Sequence, residues 1–130
     1  MKYFFLVLTV IFSQFANAGS GKALIPHWNA LHQSYFFISN ITNNSIEVGI
    51  KLYDSDGKII NLEEVGLSNQ VIIEPKTTKK LQTKTYLNKF GFGSISWKNV
   101  GTEDDEVAIT VAVQEYNQRV FFMLNDGQPF

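Results

Sequence analysis

The chain has 130 residues, 45% of them apolar, with 11 basic and 12 acidic side chains and no cysteine. A formal charge of −1 gives no electrostatic case for nucleic acid or for an anionic membrane surface. The lack of cysteine excludes disulfides, a cysteine nucleophile, thiolate metal or haem sites and a lipoprotein anchor.

Residues 1–18 read MKYFFLVLTVIFSQFANA. Lys2 supplies a positive start, and the apolar run 3–12 is too short to span a bilayer, which takes about 20 helical residues. Ala16 and Ala18 put small residues at the two positions a signal peptidase reads. The expectation is a secretory signal peptide cleaved before Gly19, since no charged stop-transfer flank follows. Removing 18 of 130 residues leaves 112, with one lysine and no acid lost. That length suits one domain with a real core. Small secreted domains often lean on disulfides; this one must rely on packing. A cysteine-free domain behind a short, lysine-light leader suggests a bacterial periplasm or exterior, with membrane contact only during export.

Beyond the leader the apolar pattern has period two, a strand signal. A first strand is expected at 23–28. Residues 35–38, Tyr-Phe-Phe-Ile, are apolar on both faces, which suits a central strand or one that covers a partner. Asn40 to Asn44 is a polar turn suited to local backbone bonding. Its two N-x-S/T triplets, at Asn40 and Asn43, are read as turn residues rather than glycan acceptors. Ile46, Val48, Ile50 and Leu52 alternate with Glu47, Gly49, Lys51 and Tyr53, so one face meets core and the other water. Asp54-Ser55-Asp56-Gly57 closes a hairpin, with Gly57 free to take positive φ.

Residues 61–70 are the longest ambiguous connection and should pack over an edge. Leu62 to Ser68 allows one short helical turn, which Gly66 weakens. Strands follow at 71–74 and 78–83, separated by Pro75-Lys76. Ile95 and Trp97 alternate with Ser94, Ser96 and Lys98. An exposed acidic loop comes next. Val107, Ile109, Val111 and Val113 are then expected to face the core, against Ala108, Thr110, Ala112 and Gln114. Asn117-Gln118 should turn tightly into 120–124, Val-Phe-Phe-Met-Leu, again apolar on both faces. No convincing helix, repeat or linker is present. Seven to nine short strands with turns roughly 8–12 residues apart predict an all-β domain over 19–130, a single antiparallel β-sandwich. A small barrel is the alternative.

Chemical motifs are few. His27 and His32, the two histidines, lack a third ligand that would complete a metal site. Asp54 to Gly57 resembles the start of a calcium loop, but no glutamate stands where an EF-hand needs one. Glu103-Asp104-Asp105-Glu106 is the densest charge in the chain; the expectation is a solvated loop that guards strand edges, with a surface calcium site shared with the 54–57 turn as the alternative. Gly91-Phe92-Gly93-Ser94 has no phosphate-loop lysine, no G-x-S-x-G occurs, and nothing selects a carboxylate pair for glycoside hydrolysis. No catalytic residue, metal or cofactor is expected.

Aromatic residues are in excess of what one core face needs: Trp28, Tyr35, Tyr53, Tyr86, Phe90, Phe92, Trp97, Tyr116, Phe121 and Phe130. Two or three should be exposed, where rings suit sugar stacking or protein interfaces. Tyr53 and Tyr116 are in phase with polar strand faces. Phe121 and Met123 lie on an apolar strand near the chain end, where an edge strand is expected.

The order of elements resembles the sensory rhodopsin transducer family of small β-sandwiches. The resembling parts are Ile25-Pro26, the apolar strand ending at Asn40, the alternating stretch from Val48 to Tyr53, and Thr110-Val111-Ala112-Val113-Gln114-Glu115-Tyr116. They span about half of the chain after the leader, and their motifs are generic. The resemblance implies an oligomeric binding module rather than an enzyme. That family works in the cytoplasm, whereas this chain carries an export leader, so no site residue is carried over.

The functional expectation is a secreted or periplasmic non-enzymatic binding or assembly module, with Phe121, Met123, Tyr116 and Tyr53 as the candidate interface. Its partner is a protein or a second copy. Alternatives are a carbohydrate-binding sandwich using exposed aromatics, and a small hydrolase. Intact-mass analysis of the exported protein should give a chain that starts at Gly19. A mass that retains residues 1–18 contradicts the leader assignment.

Overall fold

Alternation puts every second residue on one side of a strand, and here two sheets bury those sides against each other. A computed structural model describes residues 18–116 and 120–130. The strands are β1 (Ser20–Asn29), β2 (Ser34–Asn40), β3 (Ile46–Asp54), β4 (Gln70–Ile73), β5 (Thr78–Gln82), β6 (Phe90–Asn99), β7 (Ile109–Glu115) and β8 (Val120–Met123). The first sheet has the order β1-β6-β3-β4 and the second β5-β2-β7-β8. All pairings are antiparallel, and the two sheets pack as a sandwich. No helix among the described residues is long and apolar enough to cross a membrane.

The interior is one cluster. From the first sheet it takes Ile25, Trp28, Ile46, Val48, Ile50, Leu52, Ile95 and Trp97. The second supplies Phe36, Ile38, Ile109, Val111 and Val113. Each such side chain contributes about 1.5–3 kcal/mol on leaving water. A register shift between Ile25 and Trp28 aims Trp28 inward, as a bulge does. Its Nε1 donates to Tyr53 O at 2.9 Å and Phe92 O at 3.1 Å. Gly91, the register partner of Trp28, leaves no space for a side chain: a Cβ would meet Tyr53 O at 2.0 Å.

Polar side chains close both ends of β2. At its start, Ser34 Oγ donates to Asn29 O at 3.1 Å and Ser34 N donates to Thr83 Oγ1 at 2.9 Å. At its finish, Asn40 Nδ2 donates to Ile73 O at 3.0 Å, while its Oδ1 accepts from Thr42 N at 2.9 Å. Asn40 thereby ties β2 to β4 of the other sheet. These buried side chains at the ends of β2 are tolerated because they are paired.

The connection after β3 behaves partly as expected. Asp54 Oδ1 accepts from Asp56 N and Lys58 N, both at 2.9 Å, and Gly57 takes φ 81°. The return meets β3 through a single bridge, Tyr53 to Ile59. Residues 61–70 do pack inward through Leu62, Val65 and Leu67. A 3-10 turn forms at Leu62–Val65, and Gly66 at φ 85° ends it. The glycine is a C-cap rather than a weakness within the turn.

Three expectations need correction. Val107 is 44% exposed, while Ala108 is buried. The cause is the main chain of Phe130: its O accepts from Ala108 N and Ile109 N at 2.9 and 3.1 Å, and its N donates to Ile109 O at 3.0 Å. That pairing rotates Val107 outward ahead of β7. The apolar run 120–124 is a strand only to Met123, and Leu124 enters a 3-10 turn as a buried residue. More aromatics are exposed than expected, since Tyr86, Phe90, Phe92, Tyr116 and Phe121 all reach solvent. Residues 1–17 of the expected leader 1–18, and the expected turn at Asn117-Gln118, lie outside the described residues.

Truncating Ile50 or Val111 to Ala should cost about 1–4 kcal/mol in urea unfolding, from lost transfer energy plus a cavity. Val107→Ala should stay within about 0.5 kcal/mol, as surface changes do. Equal losses at Val107 and Val111 contradict the observed register.

Candidate functional site

The outer face of the second sheet is built by register. Tyr35 of β2 stands beside Gln114 of β7, which stands beside Phe121 of β8. The next outward row is Phe37, Ala112 and Met123. Neighbouring strands are about 4.8 Å apart, so these side chains make one surface. Phe121 is 60% exposed and Met123 41%.

Tyr116 extends this surface past the end of β7. Its N donates to Gln33 O at 3.1 Å, and its ring, 63% exposed, meets Tyr35 edge-on at 6.3 Å. Tyr35 also contacts Phe37 at 6.4 Å, and its hydroxyl donates to Gln33 Oε1 at 2.9 Å. Lys80 Nζ lies 5.1 Å from the Tyr35 ring centroid, a cation–π distance. Between Tyr35, Phe37, Lys80, Gln114 and Tyr116 is a shallow cleft of about 280 Å³.

β8 is also an edge: it pairs with β7 and ends the strand order. Two of the other three edges carry charge or irregularity, the usual protections. β5 carries Lys79 and Lys80. β1 carries Lys22, Pro26 and the register shift. β4, Gln-Val-Ile-Ile, is as short as β8 and likewise uncharged, and Lys79 Nζ donates to its Ile72 O at 3.1 Å. β8 reads Val-Phe-Phe-Met with no charge.

Tyr53 belongs to a different surface from Phe121, Met123 and Tyr116. It lies on the outer face of the first sheet, where it stacks on its register partner Phe92 at 4.9 Å and 12°. Beside the stack, Lys22, Ala23, Leu24 and Ser94 line an open hollow of about 640 Å³. A second depression, about 530 Å³, continues over Gly49 and Ser96 toward the Lys98–Glu47 ion pair at 2.9 Å. Small side chains make these hollows, and the hydroxyl and ammonium groups around them are hydrogen-bond donors.

His27 has a structural partner. Glu115 follows Val111 and Val113 in the inward phase of β7 and is 1% exposed. His27 Nδ1, from β1 of the opposite sheet, donates to Glu115 Oε1. The pair therefore spans the sandwich. A carboxylate at that depth is costly unless paired. His32 lies in the β1–β2 connection. Among the described residues, no three His, Asp or Glu side chains are grouped to hold a metal ion. In the acidic loop, Asp105 Oδ2 accepts from Asn99 Nδ2 at 2.7 Å and Asn44 Nδ2 at 3.0 Å, so that carboxylate anchors the loop to β6 and the β2–β3 turn. Gly91-Phe92-Gly93-Ser94 lies within β6.

Sequence reasoning missed Glu115, although its phase with Val111 and Val113 marked it as inward. It also left Lys80 unremarked, because cross-strand partnership with Tyr35 and Phe37 depends on register.

No protein-family model matches the chain, and no curated protein matches it. Among solved structures, the crystal structure of Thermotoga maritima 1070 is similar, with a TM-score of 0.55 and 14% sequence identity. The match covers 85% of this chain and 98% of that one. At this identity the likeness concerns the fold alone.

His27→Ala should lower stability by about 1–3 kcal/mol, because it leaves a buried acceptor without its partner. Adding Glu115→Gln should return part of the loss. Urea unfolding of the two variants checks this, and an unchanged midpoint in His27→Ala contradicts the assigned role.

Proposed function

We propose that the mature domain is a secreted or periplasmic, non-enzymatic binding module. It docks a protein surface on the outer face of the second sheet and along β8, with a second copy of the chain as the first partner to test. One observation carries this reading: Phe121 and Met123, on an uncharged edge strand, share a face with Tyr35, Phe37 and Tyr116. Aromatic side chains are frequent anchors at interfaces, and an open edge adds main-chain hydrogen bonds. Location outside the cytoplasm rests on the leader. The resemblance to sensory rhodopsin transducers, a family of oligomeric binding modules, points the same way, and we propose it as a kinship of fold.

A second reading is favoured by the Tyr53–Phe92 stack. A ring flanked by Ser94 and Lys22 suits a carbohydrate, whose C–H faces pack on rings while its hydroxyls take donors. The hydrolase reading gains nothing from the His27–Glu115 pair, which bridges the sheets.

Phe121→Lys should reduce association in light scattering, while circular dichroism stays that of the parent. A folded variant with unchanged association, or an unfolded one, removes β8 as the docking edge. Phe92→Ala tests the second reading: retention on immobilised oligosaccharide that is present in the parent and lost in the variant supports it, and no retention by the parent removes it.

A further inference from the structure

Gly19, the residue that follows the expected cleavage position, has a closely fitted seat. Its N–H donates to Glu103 O at 3.0 Å, and its carbonyl accepts from Asn99 N at 2.9 Å. No side chain fits there: a Cβ would meet Asp105 O at 2.1 Å and Asn99 Oδ1 at 2.6 Å. The loop that forms the seat is itself pinned. Asp105 N donates to Asn99 Oδ1 at 3.1 Å, and Asp105 Oδ2 holds the amides of Asn99 and Asn44. Ser20, the next residue, opens β1 and pairs with Lys98 of β6. The start of the sandwich thus hangs from Gly19.

We propose that this seat receives the α-ammonium created when the leader is removed. Hydrolysis of the Ala18–Gly19 amide by a signal peptidase consumes one water. The carboxylate leaves on Ala18, and the nitrogen stays on Gly19, protonated. A neutral N–H that meets Glu103 O becomes a cationic donor within a loop bearing Glu103, Asp104, Asp105 and Glu106. Charge-assisted hydrogen bonds are roughly twice as strong as neutral ones. The nearby cations do not compete for the seat. Lys98 is engaged by Glu47 at 2.9 Å, and Lys22 stands two residues beyond Ser20 on an exposed position of β1. The acidic loop gains in the mature chain a partner that the precursor lacks, and maturation itself tightens β1 against β6. This inference does not depend on the β8 interface.

The pH dependence has a defined sign. An α-amine free in the unfolded chain titrates at about 7.7–8.0. On this proposal the Glu103 carbonyl and the acidic loop that carries it favour the charged form and hold the folded value above that. The stabilisation is then complete below about pH 7.7 and fades as pH rises through the folded value. The test compares protein prepared to begin at Gly19 with the same protein acetylated at the Gly19 amine. In urea at pH 6 the free form should have the higher midpoint, and the gap should close by pH 10. The pH profile of amine reactivity should place the folded terminus above 8. Equal midpoints at pH 6, a gap that persists unchanged to pH 10, or a terminus that titrates at or below about 8 overturns the proposal. Because both samples start at Gly19, the result is separate from whether cells cleave there, which the intact mass decides.

Discussion

The structure depends on burying the inward phase of eight strands between two sheets with no covalent bond across them. Apolar contact between Trp28, Trp97, Phe36 and the aliphatic rows of β3 and β7 supplies the attraction. That attraction is non-directional, so it does not by itself fix how the sheets sit on one another. Polar side chains that reach across supply the direction. Asn40 links β2 to the carbonyl of Ile73 in β4, and His27 reaches Glu115. Such groups are costly when unpaired, which penalises any packing of the sheets that would separate them.

Once the inner phase is committed, function is left to the outer phase and the edges. The two outer faces differ in chemistry. The second sheet presents rings and a thioether around Tyr35, flanked by the uncharged β8. The first presents serines, glycine and lysines around shallow hollows, with one ring stack at the side. An apolar face beside an open edge suits a protein partner, and a hollow that sets a ring stack beside the Ser94 hydroxyl and the Lys22 ammonium suits a small hydroxylated ligand.

Much of this was legible in the chain because a strand's period is two. Ile46, Val48, Ile50 and Leu52 are buried as the alternation predicts, and the strand at 78–83 falls at Thr78–Gln82. Local turn chemistry was also readable, as Asp54 and Gly57 show. What failed depended on distant residues. Val107 kept the apolar phase of its neighbours, but Phe130 recruits Ala108 and Ile109 from the far end of the chain. Tyr53 and Tyr116 share a phase relation to polar neighbours, yet they stand on different sheets, because which sheet a strand joins is decided by crossovers that periodicity does not encode. The seat of Gly19 was likewise invisible, since it joins the start of β1 to a loop more than eighty residues away.

Hydrogen exchange measured across a concentration series tests the central claim, that association uses β8 and the outer face beside it. The account predicts that the amides of Val120 to Met123 become more protected as concentration rises, while those of β4 and β5 do not change. Protection that is independent of concentration, or that grows at β4 rather than β8, contradicts it.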